Sequence, residues 1–294
     1  MGARAGFAVV VAVDASPEAA AAARAAAMFP WPAGTRLHGV VATRTRSTMG
    51  RPRYVKMAFD RAFERVGART RRRLATGWPG SDAVVVEQRP LQAILAQVRH
   101  LRARAVVLGS RGRRGTMRLV LGSVSRQVVR RAPCAVLVVR GRPRQFRRLV
   151  VGIDGSRESC RAVSFLTRLA VPRGGRVLVV RVVEPARPPS HALVSPSVRA
   201  LASRHVATLN ARAFRTARAQ ARAAAAALEA AGWRARVAVR LGQPLPELAD
   251  AVAEARAELL VLGARGAGGI ERLLLGSVAE GALDHAPVSV LIGR

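Results

Sequence analysis

The chain has 294 residues, of which 50% are hydrophobic and 4% aromatic, and its formal net charge is +33. This length allows two ordinary domains with cores of small aliphatic side chains, and no apolar run reaches the about 18 residues of a membrane span. The excess of arginine predicts attraction to anions such as nucleotides, polyphosphate or nucleic acid.

The first half alternates apolar runs with helix-forming segments. Residues 7–13 form a continuous valine-rich run, as expected of a strand that is buried on both faces. Ser16 before Pro17 indicates a helix start, because serine caps a helix and proline fits its first position. The other predicted elements are strand 37–42, helix 53–76, strand 83–87, helix 90–101, strand 105–108, helix 123–131 and strand 135–139.

The same pattern restarts after a short polar linker, predicted over residues 141–146. Its elements are strand 149–153, a helix ending near residue 170, strand 177–183, helix 198–231, strand 236–240, helix 245–255, strand 259–262, a helix from residue 277 and strand 288–292. Alternating strands and helices favour parallel sheets covered on both faces. We therefore predict an α/β fold with two tandem, open, five-stranded, parallel-sheet domains of Rossmann-like type, over residues 1–140 and 147–294.

A glycine-containing segment follows the fourth strand of each half. The first copy contains Gly109, Gly112, Gly122 and Ser123, and the second contains Gly263, Gly266, Gly276 and Ser277. Glycine lets the backbone approach a ligand closely, and a Gly-Ser pair that opens a helix presents free N–H groups to an anion. The segments lack the Gly-Lys pair of a Walker loop, and they do not follow the first strand as a dinucleotide fingerprint does. They therefore predict two phosphate-binding loops of another kind.

Positive charge in these loops comes from arginine. The first loop carries Arg111, Arg113 and Arg114, whereas the second has Arg265. The second copy also has Ala264 where the first has Ser110. We therefore expect the first loop to hold phosphate more tightly than the second.

The pattern G-x2-G-x9-G-S after an apolar strand, with an aspartate after the first strand, resembles the ATP-binding class of the universal stress protein family. The likeness covers both halves, including the closing strands. It implies an adenine nucleotide alpha hydrolase-like fold in which the last strands pair two domains. The two halves are therefore expected to pair with each other, and a homodimer is a further alternative. It also implies that Asp14 and Asp154 contact the ribose or adenine side, and that Val40 and Val182 meet adenine through their backbones.

The resemblance implies a cytoplasmic, nucleotide-binding protein with a regulatory role in the stress response. ATP is the expected ligand, bound together with Mg²⁺, and ADP or AMP are alternatives. No histidine or carboxylate is placed by a motif to activate water against the γ-phosphate, so we predict no catalytic residue and negligible hydrolysis. The two cysteines, Cys134 and Cys160, lack the spacing of a metal site or a disulfide framework, which fits a reducing compartment.

A basic surface is the competing hypothesis. Arginines recur every four residues from Arg61 to Arg73 and share one side of a later helix from Arg215 to Arg222, and such stripes bind nucleic acid or polyphosphate. We favour a solvated helix face, because arginine replaces lysine almost throughout the chain, and the scarcity of aromatic residues also argues against stacking on single strands. An enzyme of ATP-dependent sulfur chemistry is a third alternative, and the Ser-Gly-Gly loop that it needs after the first strand is absent.

Overall fold

The computed structural model describes residues 6–43, 52–110, 121–141, 145–187, 195–266 and 275–294. The first half contains β1 (Ala8–Val13), α1 (Pro17–Met28), β2 (Arg36–Ala42), α2 (Arg53–Gly77), β3 (Asp82–Val86), α3 (Pro90–His100), β4 (Ala105–Gly109), α4 (Ser123–Arg131) and β5 (Ala135–Val139). The second contains β6 (Arg148–Ile153), α5 (Arg157–Leu166), β7 (Arg176–Val183), α6 (Pro196–Ala230), β8 (Arg234–Leu241), α7 (Pro244–Glu254), β9 (Leu259–Gly263), α8 (Ser277–His285) and β10 (Ser289–Gly293).

The described strands form a single sheet in the order β3-β2-β1-β4-β5-β10-β9-β6-β7-β8. Pairing is parallel within each half, and only β5 and β10, which join the halves, are antiparallel. The predicted α/β fold is therefore confirmed, and so is the pairing of the two halves through their last strands. In each half the strand order reverses beside the first strand, between β1 and β4 and between β6 and β9, which is where open sheets bind ligands.

Helices cover both faces of the sheet. Buried side chains of α1, α2, α5 and α6 pack on one face, and those of α3, α4, α7 and α8 pack on the other. Each of the two hydrophobic clusters contains residues from both halves, so the halves share a core on each face of the sheet. Valine-rich strands suit this position because both of their faces are buried.

Most element boundaries lie within two residues of the sequence prediction, and two of the differences have a visible cause. Helix α5 ends at Leu166 rather than near Ala170, and the backbone N–H of Ala170 instead donates to the Pro30 carbonyl of the first half at 2.9 Å. Helix α6 begins at Pro196, because the Ser195 hydroxyl caps it. Among the described helices, none has both the length and the apolar character that crossing a bilayer requires.

Candidate functional site

The predicted aspartates directly follow the first strand of each half. Oδ1 of Asp14 accepts a hydrogen bond from the Ser16 backbone N–H at 2.9 Å, and Oδ1 of Asp154 accepts from the Ser156 N–H at the same distance. Both serines then cap the following helix, α1 or α5. The turn therefore fixes each carboxylate at the carboxyl edge of the sheet, in the same way in both halves.

The first glycine of each loop lies against the first turn of a helix. A Cβ added to Gly109 would lie 2.9 Å from the backbone carbonyl carbon of Glu18 in α1, and one added to Gly263 would lie 2.7 Å from that of Glu158 in α5. Both distances are shorter than carbon atoms tolerate. The strand therefore needs glycine there to let the helix approach.

The later glycines shape the loop itself. A Cβ on Gly266 would lie 2.8 Å from Oδ2 of Asp154, so the second loop passes directly beside the aspartate. The Gly276 N–H donates to the Ala264 carbonyl at 2.9 Å, and the Gly122 N–H donates to the Ser110 carbonyl at 2.8 Å. Both loops are therefore closed at their base by the same hydrogen bond.

The helix that ends each loop presents its amino end to this edge. Gly122 and Gly276 are the N-cap residues of α4 and α8, and neither helix has a side-chain cap among the described residues. The helices begin at Ser123 and Ser277. Uncapped first-turn N–H groups and the helix dipole together favour an anion.

A cleft of about 760 Å³ lies in the second half, at the carboxyl ends of β6, β7 and β9. Val180, Val182, Leu248 and Leu262 form an apolar part of its wall. Asp154, Gly266, Gly276 and Ser277 line it as well, so the aspartate and the amino end of α8 face the same space. Its volume is that of an ordinary small-molecule site, and its lining provides one apolar region and one anion-binding region.

Arg265, the arginine of the second loop, is paired with a carboxylate. Its Nη2 lies 2.9 Å from Oε1 of Glu158, which is 15% exposed, and Nη1 of Arg161 lies 3.6 Å from the same oxygen. The charge of Arg265 is thus partly neutralised within the protein. A phosphate at this loop would compete with Glu158 for it.

Val40 and Val182 do not occupy equivalent positions in the two halves of the sheet. The strand register pairs Val13 with Val41 and Ile153 with Arg181, so Ala42 is the counterpart of Val182. Val182 lines the cleft, and Val40 lies two residues earlier along its strand. Valine recurs throughout both strands, so residue type alone does not define which valines are equivalent, and the contact of either residue with adenine stays a prediction.

Several polar residues of the cleft were not predicted, and two of them, Arg181 and Gln220, contact each other. The Arg181 guanidinium donates from Nη1 to the Val182 carbonyl at 2.6 Å and from Nε to Oε1 of Gln220 at 3.4 Å. Gln220 comes from α6 and covers Gly155, whose φ of +81° favours glycine. Arg181 could have been found from the sequence, because it is a charged residue within a valine-rich strand. No local sequence pattern indicates Gln220.

Part of the predicted site lies outside the described residues, namely Gly112, Arg111, Arg113 and Arg114. Their phosphate contacts stay predictions, as does the difference in affinity between the two loops. Over the portions of the chain that are described, no three histidine, cysteine, aspartate or glutamate side chains are grouped so that they could hold a metal ion.

Comparisons with known proteins agree with this architecture. A model of the Universal stress protein family matches residues 8–140 and again residues 145–294. A universal stress protein of Mycobacterium tuberculosis is 32% identical over 204 residues, which cover 65% of this chain and 62% of that protein. The match thus spans less than two thirds of the length of the mycobacterial relative. A universal stress protein of Thermus aquaticus is 36% identical over 134 residues, covering 45% of this chain and 97% of that protein.

A solved structure shares the fold over almost the whole chain. The universal stress protein from Archaeoglobus fulgidus superposes with a TM-score of 0.63 at 17% identity, covering 98% of this chain and 96% of that one. This likeness supports the fold, and the two matches to the family model support membership. The chain belongs to the universal stress protein family and carries two tandem copies of its domain.

Proposed function

We propose that this chain binds an adenine nucleotide, with ATP as the expected ligand, at the carboxyl edge of each half and acts as a regulatory protein of the stress response. The observation that carries the proposal is the cleft of the second half, where an apolar wall, an oriented aspartate and an uncapped helix terminus face one space. Membership of the family supports the stress-response role.

The lining of the cleft suggests how the nucleotide is held. The base packs against Val182, Leu248 and Leu262, since an aromatic ring gains most from leaving water there. Asp154 accepts a hydrogen bond from a ribose hydroxyl, because its carboxylate is already oriented by Ser156. The phosphates lie at the amino end of α8, where backbone N–H groups stabilise negative charge.

We infer that the role is non-catalytic. Of the residues that the structure describes, the carboxylates that line the cleft are Asp154 and Glu184, which follow β6 and β7. Glu158, which also lies beside the loop, is bound by Arg265 and Arg161. A general base must reach the attacking water, so this arrangement favours binding without turnover. Mg²⁺ would be held chiefly by the phosphates, and a cytoplasmic location is proposed with the function.

Mass spectrometry of the nucleotide released from freshly purified protein tests the proposal, together with calorimetric titration of ATP. Asp154→Ala should weaken binding at the second site about 10-fold or more, since a hydrogen bond to a charged group contributes ~1.5–3 kcal/mol. Asp250→Ala is the matched control, because Asp250 is an exposed carboxylate of α7 that does not line the cleft. Wild-type protein that carries no nucleotide and binds no ATP would contradict the proposal.

A basic surface on α2 is the second candidate. Arg61, Arg65 and Arg69 are exposed along this helix, so they are available to a polyanion. Retention on immobilised DNA that falls steeply with salt would favour this function, whereas weak retention with tight ATP binding favours the first. Replacing the three arginines by glutamine should reduce the salt slope by about 3 if each contacts a phosphate.

A further inference from the structure

The junction between the halves has approximate two-fold symmetry. In the antiparallel pair β5–β10, Leu137 lies opposite Leu291, and Val136 and Val138 lie opposite Ile292 and Val290. Leu137 and Leu291 are each the third residue of their strand, so the axis passes between equivalent residues. Helices α4 and α8 are therefore related by this axis, and a residue of one has a counterpart in the other.

Some contacts across the axis are the same on both sides. Nη2 of Arg140, directly after β5, donates to the Leu283 carbonyl of α8. Nη2 of Arg294, directly after β10, donates to the Val129 carbonyl of α4. Each guanidinium thus lies near the carboxyl end of the other half's helix, where the dipole favours a cation. Because both halves supply the same arginine and the same apolar strand, these contacts would form in any pairing of halves.

The charged contacts differ between the two sides. Arg126 Nη1 lies 3.1 Å from Oε1 of Glu280, Arg126 Nη2 lies 2.7 Å from Oδ1 of Asp284, and Arg130 Nη2 lies 2.6 Å from Oε1 of Glu280. Arg126 and Glu280 are each the fourth residue of their helix, and Arg130 and Asp284 are each the eighth. Equivalent positions of the two helices therefore carry opposite charges.

We propose that these four side chains select the unlike pairing, so that the junction surface of the first half accepts the second half and rejects a copy of itself. Two first-half surfaces would bring four arginines to the axis, and two second-half surfaces would bring four carboxylates. Like charges as close together as the partners of these ion pairs repel each other. All four side chains are only partly exposed, which limits screening by salt. The partner that fits either surface is thus the other half, from the same chain or from a second copy.

Charge reversal in the full-length chain tests this selection. Arg126→Glu with Arg130→Glu makes both surfaces acidic, and Glu280→Arg with Asp284→Arg makes both basic. Each double variant should lower the melting temperature by about 5–10 °C, whereas the combination of all four changes should return it to within about 2 °C of the wild type. A four-fold variant as unstable as either double variant would overturn the proposal.

A control separates pairing from net charge, because the chain is strongly basic overall. Arg61→Glu with Arg65→Glu changes the net charge as the acidic double variant does, at exposed positions of α2. This control should leave the melting temperature within about 2 °C of the wild type. An equal loss in the control and in the acidic double variant would show that the junction charges select nothing.

Partner choice is measured by co-expressing the two double variants with different tags. The acidic and the basic chains should co-purify as a complex of two chains, because each supplies junction surfaces of the charge opposite to that of the other. Two differently tagged copies of one double variant should co-purify at least 10-fold less. Equal recovery of like and unlike pairs would refute charge selection.

Discussion

Two glycines of the second loop, Gly263 and Gly266, should give different phenotypes when they are changed to alanine. At Gly263 the added Cβ meets backbone atoms of Glu158 at 2.7 Å, and the first turn of α5 cannot move without disturbing the core. At Gly266 the added Cβ meets Oδ2 of Asp154 at 2.8 Å, and this side chain can move aside at the cost of its hydrogen bond from the Ser156 N–H. Gly263→Ala should therefore damage the fold, and Gly266→Ala should damage the site.

The magnitudes follow from these contacts. Overpacking against backbone costs about 1–3 kcal/mol, which lowers the melting temperature of Gly263→Ala by roughly 2–5 °C. Gly266→Ala should keep the melting temperature of the ligand-free protein within about 2 °C of the wild type. Displacing the Asp154 carboxylate removes a charge-assisted hydrogen bond to the ligand, so its Kd for ATP should rise about 10-fold or more.

Scanning calorimetry of the ligand-free proteins and titration with ATP measure the two effects separately. Gly109→Ala is the matched control in the first half, because its Cβ would lie 2.9 Å from the backbone of Glu18, and it should behave like Gly263→Ala. A Gly263→Ala protein with wild-type stability, or a Gly266→Ala protein with wild-type affinity, would refute the reasoning.

Three further predictions concern charge and burial. Glu158→Gln frees Arg265 from its ion pair, so ATP should bind the second site about 2- to 5-fold more tightly in calorimetry, and unchanged or weaker binding would count against a phosphate at this loop. Titration of the wild type should resolve two sites with different affinities for ATP. The second-half site, which Asp154→Ala identifies, should have the lower affinity, because the first loop carries more arginine. Equal affinities would contradict this. Burial raises the pKa of the Cys134 thiol from 9.0 to about 12, so at pH 8 an alkylating reagent should modify exposed Cys160 and reach Cys134 only after unfolding. Rapid double labelling of the native protein would contradict that burial. The same shift contributes stability that is complete below pH 9 and is lost as the pH rises towards 12.

Local signals predicted most of the fold. Valine-rich runs located the strands, and the Ser16-Pro17 pair marked the start of α1, because strand burial and helix capping depend on neighbouring residues. The end of α5 was misplaced because the Ala170 N–H bonds to Pro30, which is distant in sequence. The spacing of the glycines located both loops, yet it did not reveal that Gly109 and Gly263 are required by the packing of α1 and α5.

The cleft itself depends on contacts between distant segments. Gln220 lies on α6 and reaches Arg181 on β7, and no pattern along the chain links the two. The strand pairing makes Ala42, rather than Val40, the counterpart of Val182, and this register cannot be read from a sequence in which valine recurs along both strands. The places of motif residues in the fold could thus be predicted from sequence, whereas contacts assembled by tertiary packing could not.

The shared core has a thermodynamic consequence for the ligand. Both hydrophobic clusters extend across the junction, so neither half can unfold without exposing apolar surface of the other. If the proposed nucleotide binds one half, it stabilises the other half as well by mass action. A free nucleotide concentration of about 100 times Kd would add about 2.7 kcal/mol to the unfolding free energy of the whole chain. Occupancy of one site would in this way protect the distant site from local unfolding and proteolysis, without any change in the shape of either half.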